Sequence, residues 1–285
     1  YGKGCDLGHG RGCTYLGLLL EQGRGGAQDK AKARDFYRKG CDLEHGRGCT
    51  FLGLLLDRGQ GGAQDKTKAR DFYRKGCDLD TMAGCYRLAL SIRTQASSGG
   101  DAGVPEEVMV LLRKACDGQY PRACNSLGWM EFGAERDDEA RKAYEVGCES
   151  GTGASAAETC YNLGTLLLFA SGDAEQALAA YRKACEKESP KGCLQAAAIL
   201  HPGAPDEADA LATRGLDATT AKCNKDTKGA EHCLALADWY EAIGKEPEAR
   251  TTRSRGLENL NTQCAAGDVT MCREWRLRGG RVDPE

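Results

Sequence analysis

The chain has 285 residues, a formal net charge of −3 and 28% charged residues, a length that as one globule would split into two domains. Seven prolines and five phenylalanines leave little with which to organise two large cores, so a repeating architecture fits better. Lys and Arg are dispersed among Asp and Glu rather than gathered into a stripe, which argues against nucleic acid or an anionic membrane as the main partner. The longest apolar runs, "LGLLL" and "LGTLLLFA", fall short of the roughly 18 to 20 residues needed to span a bilayer, so no membrane insertion is expected.

The chain opens on Tyr1-Gly2-Lys3-Gly4-Cys5, which aligns with Tyr37-Arg38-Lys39-Gly40-Cys41 inside a later unit. A signal peptide or further repeats are therefore expected upstream. Cys5, Cys41 and Cys77 set a period of 36, and Gly10 to Gly40 recurs almost verbatim as Gly46 to Gly76. Self-similarity at this spacing signals stacked repeats. The marker continues at Cys116, Cys148, Cys185, Cys223 and Cys264, and each is followed by a second cysteine: Cys13, Cys49, Cys85, Cys124, Cys160, Cys193, Cys233 and Cys272. All sixteen cysteines fall into eight pairs.

Each unit reads as two helices. In the first, predicted over Gly12 to Gln22, Leu16, Gly17 and Leu20 share one face. A small residue four after the second cysteine recurs as Gly53, Ala89, Gly128, Gly164, Ala197 and Ala237, which predicts close approach of neighbouring helices. In the last unit Arg276 takes this position, as fits a terminal helix. The second helix is predicted to open at Asp29, Asp65 or Asp173 as N-cap, with its own small residue at Ala33, Ala69, Ala140 and Ala177. The Gly/Ser-rich run 94–105 is expected to be a mobile loop. Beyond about residue 204 the pattern loosens: Leu216 and Leu257 stand where a cysteine is expected and Cys223 and Cys264 follow seven residues later, which predicts two extra helical turns.

Eight residues span one helix end, a turn and the start of the next helix, so the paired cysteines meet across a helical corner and can close a local disulfide. Zinc fits less well. His9 and His45 lie midway between cysteines, but the other six pairs lack a histidine and structural zinc takes four ligands at tighter spacing. A Cys-x-x-Cys redox motif is absent. Complete pairing of this kind implies an oxidising compartment: secreted, periplasmic, at the cell surface, or an organelle lumen.

The run "GCTYLGLLLEQGRGGAQDKAKARDFYRKGCDL" resembles the Sel1-like repeat, an αα relative of the tetratricopeptide repeat, and in particular its disulfide-rich branch, the Helicobacter cysteine-rich proteins. The likeness extends to "CYNLGTLLLFASGDAEQALAAYRKAC" and weakens after about Ala204. It implies an all-α, αα-hairpin solenoid: a right-handed superhelix of about seven to eight repeats with one disulfide per repeat. On this reading 1–285 is a single solenoid, with typical repeats over 1–204 and divergent ones with longer second helices over 205–285. The resemblance also implies export and a role as an interaction scaffold, and some members of the family are described as penicillin-binding or weakly β-lactamase active.

The residues themselves give no catalytic set. Ser-x-x-Lys, Ser-Asp-Asn and Lys-Thr-Gly do not occur. Thr219-Thr220-Ala221-Lys222 reads as solvated surface, and "ERDDEA" (Glu135 to Ala140) as helix-start acidity complementing the dipole. "GRGG" and "GQGG" lack the context of a phosphate loop. No cofactor and no metal are expected. Function is expected on the first helices, where positions two and five after the cysteine oppose the buried stripe: Tyr15 and Leu18, Phe51 and Leu54, Arg87 and Leu90, Ser126 and Trp129, Asn162 and Thr165, Gln195 and Ala198. Tyr15, Phe51, Arg87, Trp129 and Asn162 are the candidate partner-binding residues, for an extended peptide or a partner helix. In a tightly wound superhelix the same positions pack as core, and Leu18, Leu54 and Leu90 fit either role. The sequence thus points to a non-enzymatic exported scaffold binding a protein or peptide. Its alternatives are a self-associating structural subunit of a cell-surface or appendage assembly and, by family resemblance alone, a β-lactam-binding protein.

Overall fold

A computed structural model describes residues 2–24, 26–98, 104–225 and 230–278. Among them the chain is all helix: α1 (Gly2–Asp6), α2 (Gly10–Gln22), α3 (Lys30–Asp42), α4 (Gly46–Arg58), α5 (Lys66–Asp78), α6 (Met82–Ser98), α7 (Glu106–Asp117), α8 (Pro121–Gly133), α9 (Asp137–Glu149), α10 (Ala154–Phe169), α11 (Ala174–Glu186), α12 (Pro190–Leu200), α13 (Pro205–Lys225), α14 (Ala230–Ala242), α15 (Glu246–Ala265) and α16 (Val269–Leu277). They form consecutive antiparallel hairpins, grouped into two compact units, residues 1–120 and 121–285. Thr94 to Ser98, read from sequence as the start of a loop, still belong to α6. Residues 99–103 of that predicted loop lie outside the described residues.

The helix starts follow from their caps. Asp29, Asp65 and Asp173 each accept a hydrogen bond from the backbone N–H three residues on (Lys32, Lys68 and Gln176), satisfying a donor that the first helical turn leaves open. α13 and α15 run for 21 and 20 residues, against 13 in α3 and α5. The extension of α13 changes one expectation. Thr219 falls on the stripe of Ala208, Ala212, Gly215 and Cys223 and is fully buried, not solvated, and its hydroxyl has no hydrogen-bond partner.

Within both units, disulfides crosslink second helices to the first helices that follow them. The bonds are Cys5–Cys13, Cys41–Cys49, Cys77–Cys85, Cys148–Cys160, Cys185–Cys193, Cys223–Cys233 and Cys264–Cys272, with Cα atoms 4.4 to 4.8 Å apart. Cys116 and Cys124 are disulfide-bonded as well, and no cysteine is free. In a chain-entropy model each eight-residue closure contributes about 2.5 kcal/mol. Eight disulfides suit an oxidising compartment. Among the described residues no helix is long and apolar enough to cross a membrane.

The core of each hairpin rests on an exchange of volume. The small residue of the first helix leaves room for a tyrosine ring from the second: a Cβ on Gly17, Gly53, Gly128 or Gly164 would lie within 2.8 Å of Tyr37, Tyr73, Tyr144 or Tyr181. These rings are at most 2% exposed, as are Ala33, Ala69, Ala140 and Ala177 beside them. Where the small residue is Ala89 instead, the partner position holds Leu112. Gly53→Ala is therefore expected to destabilise unit 1 by about 1–3 kcal/mol through overpacking, although Ala is the better helix former by about 1 kcal/mol. Adding Tyr73→Leu, which reproduces the Ala89 and Leu112 arrangement, is expected to recover most of the loss in urea denaturation.

Candidate functional site

In unit 1 the predicted face lies on α2, α4 and α6. Tyr15 is half-buried, with the Arg11 guanidinium 5.5 Å above its ring. Phe51 is half-buried against Tyr37, ring centroids 5.2 Å apart. Leu18 and Leu54 pack on the core cluster formed by Tyr37, Leu52 and Tyr73 while keeping part of their surface open. Arg87 and Leu90 line a cleft of about 500 Å³ with Asp57, Lys66, Arg70, Tyr73, Ser91, Thr94 and Gln95. Sequence reasoning named Arg87 here but not Tyr73 or Arg70, which come from the second helix of the preceding repeat.

His45, weighed with His9 as a metal ligand, has Nδ1 2.8 Å from the Thr14 hydroxyl. Burial, with Arg47 and Arg11 adding to it, pushes its pKa down. Both cysteines that flank it are in a disulfide, so neither sulfur is a thiolate.

The equivalent face of unit 2 is engaged by the chain's own last helix. α16 lies against α8: the Thr270 hydroxyl donates to the Trp129 carbonyl at 3.4 Å, and Arg273 donates to the Phe132 carbonyl and pairs with Asp137 at 2.6 Å. Arg273 also stacks over the Phe132 ring at 4.3 Å. Trp129 and Asn162 do come together, but in a small cavity with Phe132, Tyr144, Thr165 and Leu166 that is bordered by Glu274 of α16. Asn162 is buried and donates to Asn125 Oδ1 at 2.8 Å. Arg276 is exposed and faces Glu135 at 3.8 Å. The acidic run at Asp137 to Glu139 does occupy the first turn of α9.

Beneath α16 sits a set of buried charges whose burial no sequence pattern signals. Lys191, its side chain 4% exposed, pairs with Glu158 at 2.8 Å and with Glu231, and its ammonium stands 3.9 Å over the Tyr161 ring. Burial alone would lower the lysine pKa; Glu231 and Glu158 outweigh it and hold the group well above its usual value. Arg278 is likewise buried, donating to Glu274 at 2.9 Å and stacking over Phe169 at 4.5 Å. Glu274 is pushed up by burial more than Arg278 pulls it down.

Comparison with known proteins fits this architecture. Residues 10–45 and 46–80 match the Sel1 repeat, and residues 157–186 match a tetratricopeptide repeat. No curated protein sequence matches the chain. Among solved structures, a Sel1 repeat protein from Oxalobacter formigenes superposes with a TM-score of 0.59 at 18% identity, covering 74% of this chain and 87% of that one. The protective antigen c5321, present in uropathogenic Escherichia coli strains and displaying an SLR fold, superposes with a TM-score of 0.61 at 20% identity over 100% of this chain. This chain spans 59% of the length of c5321. At such identities the likeness is one of fold.

Breaking the buried pair should expose its cost. Lys191→Met leaves Glu231 and Glu158 facing each other without their cation and is expected to destabilise unit 2 by about 3–5 kcal/mol. Guanidinium denaturation followed by Trp239 fluorescence checks this, and an effect below 1 kcal/mol would show that the pair is solvated.

Proposed function

Because this chain is a disulfide-rich protein of Sel1-like repeats, we propose that it is an exported, non-enzymatic scaffold that holds a protein or peptide partner. The observation that carries this reading is the contrast between its two units. In unit 2 α16 packs on this face, where Thr270 bonds the Trp129 carbonyl and Glu274 borders the cavity of Trp129 and Asn162, whereas in unit 1 Tyr15, Phe51 and Leu54 keep half-open apolar surface and Arg87 lines a cleft. Half-buried aromatic side chains on rigid helices supply contact area at low conformational cost, which is what recognition of a peptide or a helix requires. The crosslinks support the same reading: a scaffold whose hinges are covalently fixed presents its face in one conformation and loses little entropy on binding. The disulfides support the export part of this reading, since they persist where thiols are kept oxidised, as in a periplasm, at a cell surface or in a secreted fluid.

Panning a random peptide library over the oxidised chain tests this. Enriched peptides are expected to lose affinity about tenfold or more with Tyr15→Ala or Phe51→Ala, the size of a typical aromatic anchor, and to ignore an outer-face change such as Glu175→Ala. Thermal unfolding of each variant separates lost contact from lost fold. Failure to enrich any peptide, or enrichment insensitive to both aromatic variants, contradicts the proposal.

A further inference from the structure

Two neighbouring repeats of unit 1 are nearly identical, and they differ at the one position that faces the tyrosine of the hairpin. In the first, the Tyr37 hydroxyl donates to the Glu21 carboxylate at 2.6 Å. In the second, Asp57 stands in place of Glu21 and is one methylene shorter. The Tyr73 hydroxyl is left buried with no hydrogen-bond partner, and Tyr73 itself is 1% exposed. An unmatched buried donor is costly, and native proteins keep few of them.

This orphaned phenol belongs to the wall of the cleft described above, where it is joined by three cationic side chains, Lys66, Arg70 and Arg87, against the single carboxylate of Asp57. Arg70 donates to the Ser91 hydroxyl at 3.5 Å, and Arg87 and Asp57 are close enough to act on the phenol from opposite signs. Burial pushes the Tyr73 pKa up, so at neutral pH the hydroxyl is a donor.

The geometry points to a carboxylate-binding site in this cleft, in which an incoming carboxylate takes the place that Glu21 fills in the preceding repeat, accepting from Tyr73 and pairing with Arg87 and Arg70. The ligand class is a peptide carrying that group either as an Asp or Glu side chain or as a free C-terminus. A guanidinium meets either carboxylate with two parallel N–H donors, and the phenol adds a third bond in a site that is shielded from water on its inner side. The site rests on the scaffold reading and narrows it, since it says which chemistry the partner brings to unit 1.

The repeat itself supplies the decisive variant. Asp57→Glu rebuilds the first repeat's arrangement in the second, so the protein's own carboxylate occupies the position. With peptides enriched by panning in two display formats, one ending in a free carboxylate and one ending in an amide, the expectation is an acidic residue in every binder of the amide format, and loss of binding when a first-format binder without an acidic residue is remade as its amide. Asp57→Glu is expected to weaken these binders about tenfold or more, and Tyr73→Phe and Arg87→Ala to do the same, the loss expected for a hydrogen bond to a charged group. Thermal unfolding should show Asp57→Glu and Tyr73→Phe folded and no less stable than the parent chain. If binders appear that carry neither group, or that ignore Asp57→Glu and Tyr73→Phe while responding to Tyr15→Ala, the carboxylate site is wrong and the scaffold stands. If no binder appears, the scaffold reading itself fails and the site with it.

Discussion

The junction between repeats is a helical corner closed by a disulfide, and at that corner the backbone turns through a left-handed residue. In all six junctions with eight-residue spacing whose third residue after the first cysteine is described, that residue has positive φ: Gly8, Glu44, Asp80, Gln119, Glu188 and Gly267, at 52° to 92°. Four of them carry side chains and so accept a conformation that L-residues disfavour by about 1–2 kcal/mol. The covalent bond across the same turn offsets that cost by confining the unfolded chain. With the corner fixed, each hairpin meets its neighbour in one register, and Gly48 of α4 lies so near Thr14 of the preceding hairpin that a Cβ there would come within 2.8 Å of the hydroxyl.

That fixed register is what makes small side-chain differences matter. A Glu-to-Asp change between otherwise near-identical repeats would be absorbed on a mobile surface. Here Tyr73 is locked in the slot left by Gly53, and it cannot follow a carboxylate that has withdrawn by one methylene. In unit 2 the same rigidity lets residues 141 positions apart meet, as Thr270 and Trp129 do, and lets Lys191 and Arg278 be buried with their partners already in place. Bringing such charges out of water costs several kcal/mol for each ion, so they can be buried only where their partners are already held in place.

The repeat period, the cysteine pairing, the Asp caps and the small-residue slots were all legible in the sequence, because each is set by local geometry that recurs at a fixed spacing. The occupant of the slot was not read, although a signal was present: a tyrosine stands four residues before the cysteine in the repeats whose slot is Gly17, Gly53, Gly128 or Gly164, and Leu112 where it is Ala89. The position of α16 had no such signal. Whether a terminal helix returns to α8 depends on the rotation accumulated over several hairpins, which no single repeat encodes. For the same reason nothing in the sequence singles out Lys191, Glu231, Glu274 and Arg278, and Trp129 and Asn162 read as an open face. Thr219 was misplaced because the extension of α13 was recognised without following its 3.6-residue stripe past Leu216.

If covalent corners hold the repeats in register, intact-mass analysis with and without reductant, after alkylation of any free thiol, will find no alkylation before reduction and a gain of sixteen hydrogens after it, one for each cysteine of the chain. Free thiols in the native protein, or a mass explained by bound zinc that a chelator removes, would contradict it and return the paired cysteines to metal or redox chemistry.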